Sequence, residues 1–197
     1  MSGAPASVQA IADRLRQTAA AHERLASGEL AALSHAAEAM QAALAAGRTI
    51  LVFGNGGSAA DAQHFAAELV GRYEHDRPGR AALALTTDGS VLTAAANDYG
   101  FQRVFARQID ALGRAGDVAL AITTSGRSPN VVCGLEAANR RGLVTIALTA
   151  RDGGDAGRLA RIHVNVPEAR TPIAQEVHRT VLHVWCELLD RDQTTRD

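Results

Sequence analysis

Cysteine is scarce in this chain, and the little there is falls into no useful pattern. Cys133 and Cys186 stand far apart and outside any CxxC spacing, which argues against a disulfide framework and against a cysteine-built zinc site. Both read as buried, reduced thiols. Long apolar runs are missing too, since no stretch approaches the roughly 20 residues that cross a bilayer. The opening Met-Ser-Gly-Ala-Pro-Ala-Ser lacks the basic and apolar blocks of a secretory leader. Excess charge of one sign is also absent. The formal net charge is −1, so no global basic field points to nucleic acid or anionic lipid, and an anionic ligand must be held locally. The expectation is a cytoplasmic protein with no nucleic-acid or membrane partner.

What is present is 197 residues, 47% hydrophobic and 21% charged, the balance of one soluble domain with a sizeable core. No repeat, low-complexity segment or long linker divides it, so a single domain over 1–197 is expected. Residues 8–46 are rich in strong helix formers, with apolar side chains at helical spacing: Ile11 and Leu15, Leu30 and Leu33, then Ala37, Met40 and Leu44. Ser27-Gly28 predicts a break between two helices. Packing on the rest of the domain or on another subunit would equally cover their apolar faces.

From 48 to 190 the pattern changes. Short buried-strand runs recur at 49–53, 81–85, 118–122, 144–148 and 162–166. Helical stretches lie between and after them, at 59–72, 91–96, 101–112, 131–141 and 172–189. The alternation predicts a five-stranded parallel sheet with helices on both faces, an α/β fold of the doubly wound, Rossmann-like kind. Ligands of such sheets bind beyond the carboxyl ends of the strands, which singles out the segments after Phe53, Leu85 and Ile122.

Gly54-Asn55-Gly56-Gly57-Ser58 follows a strand and opens a helix, with Ser58 in the position of an N-cap. Glycines let the backbone approach a ligand, and a helix start offers free N–H groups. It is neither a dinucleotide fingerprint nor a lysine-containing phosphate loop. Thr123-Thr124-Ser125-Gly126-Arg127-Ser128-Pro129-Asn130 is denser in hydroxyls. The side chains of Thr123, Thr124, Ser125 and Ser128, with the amides of a helix start, suit a phosphate dianion.

His64 and Glu68 lie four apart on the helix after the glycine loop, hence on one face. Spacing alone admits a metal site, an acid–base pair or a solvated contact. On the last helix, Gln175 and His183 are separated by about 80° of helical rotation. His178 is nearer to Gln175 in angle, and His183 sits in an apolar run, so periodicity does not choose between the two histidines. His22, His35, His75 and His163 form no group and read as surface residues.

Taken together, these motifs are recognisable. The run Gly54-Asn-Gly-Gly-Ser-Ala-Ala-Asp-Ala-Gln-His-Phe-Ala-Ala-Glu68 closely resembles the phosphoheptose isomerases of the sugar isomerase (SIS) domain superfamily. Asn97-Asp98-Tyr99-Gly100-Phe101, Thr124 to Asn130 and Gln175-Glu176-Val177-His178 continue the likeness in order, and it spans about 21–190. The resemblance implies an SIS-type fold with N-terminal helices used for oligomerisation. It implies conversion of D-sedoheptulose 7-phosphate to D-glycero-D-manno-heptose 7-phosphate, which leads to bacterial nucleotide-activated heptose for lipopolysaccharide, capsule or another glycoside. It further implies a homotetramer with active sites between subunits. By motif, Glu68 is implied as the catalytic base and His183 as the acid. Asn55, Gly56, Gly57, Ser58, Glu68, Asn97, Asp98, Thr123, Thr124, Ser125, Ser128 and Gln175 are implied at the substrate. His64, Glu68, Gln175 and His183 resemble the ligands of one zinc per subunit.

The chain departs from the family pattern in places. Thr123 replaces a serine, and Arg127 stands where asparagine is usual. Thr171-Pro172-Ile173-Ala174 lacks the arginine that usually precedes the glutamine. A non-catalytic SIS protein of the replication-initiator-associating type is the main rival. Its relatives lack the acidic residue and the histidine that this chain keeps at Glu68 and His183. An isomerase for another phosphorylated ketose and an etherase-type member are further rivals.

Overall fold

The computed structural model describes residues 6–28 and 30–191; the first five residues, read above for a leader, and the last six lie outside it. Two helices come first, α1 Ala6–Ala26 and α2 Leu30–Ala45, separated at the expected Ser27-Gly28 break. The sheet is built from β1 Ile50–Gly54, β2 Ala82–Ala84, β3 Val118–Thr123, β4 Val144–Ala150 and β5 Ile162–Val166. The helices that follow α2 are α3 Gly57–Val70, α4 Gly89–Tyr99, α5 Val104–Leu112, α6 Pro129–Arg140, α7 Gly154–Leu159 and α8 Thr171–Arg191.

All strand pairs are parallel and the order is β2-β1-β3-β4-β5. The order reverses between β1 and β3, and in such sheets that switch point is where the carboxyl-end crevice opens. Gly54 pairs in register with Ile122, so the glycine loop and the hydroxyl loop leave adjacent strands side by side.

Alternate strand residues feed two cores. Ile50, Val52, Leu120 and Ile122 pack with α1, α2, α3 and α8. Leu51, Phe53, Ala119 and Ala121 pack with α4, α5, α6 and α7. Burial on both faces explains why the strands read as unbroken apolar runs rather than alternating ones. The N-terminal helices divide their apolar faces. Ala21, Leu25, Leu33, Ala36, Ala37, Met40 and Ala43 are buried in the first core, anchored by Trp185 of α8, whose indole N–H donates to the Leu33 carbonyl at 3.0 Å. Val8, Ile11 and Leu15 remain 50–67% exposed.

Several boundaries differ from the sequence reading. The cap of α3 is Gly56, at φ 55° with no side-chain bond, and Ser58 is a buried residue of the helix's first turn. A left-handed Gly56 lets the chain turn directly from strand to helix, so no hydroxyl cap is used. Asp88 accepts from the Val91 N–H at 3.0 Å and starts α4 at Gly89. The helix expected over 101–112 begins as a 3-10 turn, Phe101–Arg103, after Gly100 at φ 81°. Helix α7 had no signal; it follows Gly153 and opens on Gly154, both at positive φ, and is too short to show a period. Of the thiols, both free, Cys186 is buried but Cys133 only half-buried.

Candidate active site

Helices α3 and α8 lie side by side and parallel, and polar contacts mark their register. A Cβ placed on Gly57 would meet the Gln175 amide nitrogen at 2.6 Å. One turn on, the Arg179 guanidinium donates to buried Asp61 at 2.6 and 3.1 Å. A further turn on, His64 Nε2 and His183 Nε2 stand 2.8 Å apart. Their rings meet edge-on, with centroids 5.1 Å apart. Glu68 Oε1 lies 3.7 Å from His64 Nε2. Three groups from two separate helices therefore converge, each half-buried and open to a ligand.

At 2.8 Å the two imidazoles share one hydrogen bond, so one Nε2 carries a proton and the other accepts it. The Tyr73 ring, from the loop after α3, lies 5.7 Å from the His183 ring. Partial burial, then the neighbouring Glu187 carboxylate, pushes the Tyr73 hydroxyl above its ordinary range. The helix also resolves the choice of histidine. His178 is the core residue: it is fully buried, bonded through Nε2 to the Thr149 carbonyl at 3.0 Å, and held below its usual pKa by burial. His183 is half-buried and faces His64. Burial, with Glu68 and Asp190 adding to it, pushes the Cys186 thiol up to about 12, leaving it unreactive.

The two loops meet at an amide pair. Asn55 donates to the Asn130 side-chain oxygen and Asn130 donates back, each at 2.8 Å. Asn130 was not singled out in the sequence, although it sits at the start of α6 beside Pro129, where a buried polar residue is unusual. A Cβ on Gly56 would meet nothing within 4 Å, so its backbone faces open space. The hydroxyls are used unequally. Thr123 Oγ1 is buried and accepts from the Gly126 N–H at 3.3 Å, and Ser125 Oγ accepts from the Arg127 N–H at 3.2 Å. Both shape the loop. Ser128 begins α6 without spending its side chain on a cap, and Thr124 is half-buried between them. Arg127 donates to the Ser125 carbonyl and pairs with Asp152, a contact that lowers the Asp152 carboxyl to about 2.

Asn97 and Asp98 lie exposed at the end of α4, joined by a 2.8 Å bond, and are not drawn into the His64/Glu68/His183 cluster. Gln175 is also apart from it, at the Gly57 end of the helix pair. Two of the histidines read as surface residues have partners. His22 bonds Thr180 at 2.8 Å, and His163 bonds Thr149 at 2.7 Å. His22 reaches a helix 158 residues on and His163 the neighbouring strand 14 residues back, contacts that helical or strand spacing does not reveal.

No group of three or more His, Cys, Asp or Glu among the described residues is arranged to hold a metal ion. The nitrogens of His64 and His183 are hydrogen-bonded to each other. Zinc at about 2.0–2.1 Å from each would hold them further apart. The donor types of His64, Glu68 and His183 nevertheless suit zinc, two imidazoles and a carboxylate on facing helices, whereas the Gln175 amide lies apart from them beside Gly57.

Comparison with known proteins sets the class first. The SIS domain family model matches residues 15–150. A phosphoheptose isomerase of Bradyrhizobium sp. (strain ORS 278) is 50% identical over 182 residues, 91% of this chain and 92% of the relative. That of Halorhodospira halophila is 54% identical over 159 residues, 79% and 80% of the two chains. The structure of phosphoheptose isomerase GmhA from Neisseria gonorrhoeae superposes with a TM-score of 0.88 at 44% identity, covering 93% of this chain and 98% of that one. The phosphoheptose isomerase from Francisella tularensis gives 0.91 at 36% identity, covering 95% and 100%. The chain belongs to the SIS-domain family and, within it, to the phosphoheptose isomerases.

Proposed function

We propose that this chain isomerises D-sedoheptulose 7-phosphate to D-glycero-D-manno-heptose 7-phosphate, with Glu68 as base and His183 as acid. The observation that carries the assignment is the meeting of His64, Glu68 and His183 across α3 and α8. In the reaction, Glu68 takes a proton from C1 while His183 donates one to the C2 carbonyl oxygen, giving the enediol. The O1 proton then passes to His183 and Glu68 returns a proton to C2, leaving the aldehyde at C1. A well-placed acid or base contributes about 10²–10⁴-fold. The glycine loop and the Thr123–Ser128 loop hold the sugar and its phosphate through backbone N–H groups and hydroxyls, with Asn97 and Asp98 contributing. That remote grip fixes the reacting carbons over the carboxylate.

His64, Glu68 and His183 would hold a zinc ion, one per subunit, with Gln175 as a fourth ligand only if its side chain swung from Gly57 toward them. Bound there, zinc would supply a Lewis acid beside the sugar carbonyl. The reading places the enzyme in the cytoplasm, at the start of nucleotide-activated heptose synthesis, as a homotetramer. Val8, Ile11 and Leu15 of α1, a third of a turn apart at most, form an apolar stripe suited to another copy.

The test is incubation with sedoheptulose 7-phosphate, with and without a chelator, with product identified by mass and by NMR. A new aldose phosphate is expected from wild type, and at least about 10²-fold less from Glu68→Gln and from His183→Gln. Metal analysis of the purified protein and light scattering check zinc and assembly separately. A well-assembled wild type without turnover would transfer the assignment to a non-catalytic SIS protein.

A further inference from the structure

The loop between α3 and β2 gave no motif, yet one of its side chains reaches both catalytic helices. Arg77 Nη2 donates to the Glu68 carbonyl at 2.8 Å and Nη1 to the Leu69 carbonyl at 2.9 Å. Its Nε donates to Asp190 Oδ1 of α8 at 2.6 Å. The two side chains are only 5% and 7% exposed. Arg80 Nη1 approaches the same Asp190 oxygen at 3.3 Å, and the Arg80 backbone N–H donates to the Leu69 carbonyl at 2.9 Å.

The chemistry of a helix end explains the arrangement. The last four carbonyls of a helix have no partner within it, and they form the negative pole of its dipole. Helix α3 ends at Val70 and has no basic residue in its last turn, so Arg77 brings the missing cation and donors from outside. Glu68 belongs to that last turn, which frays first unless capped. Asp190 follows His183 by one heptad on α8, hence on nearly the same face. A single buried guanidinium thus clamps the turn that bears Glu68 to the helix that bears His183.

We infer that Arg77, held by Asp190, is a positioning residue for the isomerisation, setting the Glu68 carboxylate at its working distance from the His183 imidazole. The inference rests on the assignment of Glu68 and His183 made above. Arg77 touches no substrate; it acts through the end of α3. A displacement of about 1 Å at a reacting group can lose 10²-fold in rate. The sugar's phosphate is gripped at the opposite end of the helix pair, so its binding is left alone.

Arg77→Lys is the discriminating variant. An ammonium keeps the charge beside Asp190 but lacks the planar fork that spans a carboxylate and two carbonyls. Full-length Arg77→Lys is assayed with wild type on sedoheptulose 7-phosphate, well below its melting temperature and with its assembly state verified. The expected result is a kcat lower by about 10- to 100-fold with KM within about twofold. A purely structural role would lower the active fraction and leave kcat per folded site unchanged. Folded Arg77→Lys with wild-type kcat, or with a loss confined to KM, overturns the inference. Should lysine not support folding, the isosteric Asp190→Asn decides by the same split between kcat and KM. A wild type without turnover sinks the catalytic assignment and this inference together, whereas an active wild type with fully active variants sinks the inference alone.

Discussion

Replacing Gly57 by alanine tests the role of Gln175 from the facing helix, through a Cβ that would displace its amide. Gly57 is the first residue of α3 and is free of left-handed φ, so alanine meets no backbone obstacle; its Cβ would lie 2.6 Å from the Gln175 amide nitrogen. Ordinary contact begins at 3.4 Å, so the amide must retreat by roughly 0.8 Å, through an off-rotamer side chain at about 0.5–1.5 kcal/mol. Alanine's better helix propensity returns at most about 1 kcal/mol, so urea midpoints should barely move. Activity should respond more strongly. If Gln175 orients the sugar or a metal, a shift of this size lowers kcat/KM by about 10- to 100-fold. Gly56→Ala is the contrasting control, since its Cβ would meet nothing within 4 Å but its φ is +55°. There the strain falls on the backbone, at φ 55° and ψ −121°, and costs about 1–3 kcal/mol of stability. Initial rates of aldose phosphate formation and urea melts on both variants complete the comparison. Full activity in Gly57→Ala would refute a working role for Gln175.

Asn130→Leu removes the partner of Asn55 and should lower stability by about 1–3 kcal/mol while raising KM for the sugar phosphate, read from urea melts and initial rates. Trp185→Ala should lose about 3–5 kcal/mol, because the indole is fully buried and bonded to Leu33; denaturant titration followed by far-UV circular dichroism measures it. His178 is held below 6.5 by burial, so the unfolded chain takes up a proton that the folded chain refuses. Its contribution to stability is intact above pH 6.5 and is lost as pH falls below it, at up to about 1.4 kcal/mol per pH unit. The slope between pH 6.5 and 5 should therefore flatten in His178→Gln, which urea melts across that range would show.

The five strands and most helices were legible because their burial is continuous: an apolar run such as that at 118–122 has one reading when helices alternate with it. The glycine and hydroxyl loops were legible because strand ends dictate where ligands sit. Less local features were not. The choice between His178 and His183 depends on which side of α8 meets the sheet, and both positions carry apolar neighbours. Ser58 read as a cap because serine commonly is one, but a left-handed Gly56 made the turn instead. Arg77 and Asp190 are separated by 113 residues, and nothing in a stretch of Glu-His-Asp-Arg-Pro-Gly distinguishes a buried clamp from a solvated loop. Asn130 was visible as a residue, but its role exists only because β1 and β3 are neighbours.

The partnership of α3 with α8 also governs when the site comes into being. His64 and His183 are 119 residues apart, and α8 is the last helix of the described chain. Loop closure over such a span awaits the folding of everything between. During synthesis the glycine loop and the sheet face covered by α4, α5, α6 and α7 can assemble around a half-finished centre, which becomes competent only when α8 docks on the other face. A polypeptide lacking α8 loses His183 and leaves uncovered the sheet face that Ile173, Val177, Leu182 and Trp185 bury, so neither the site nor its support is complete until α8 has been made.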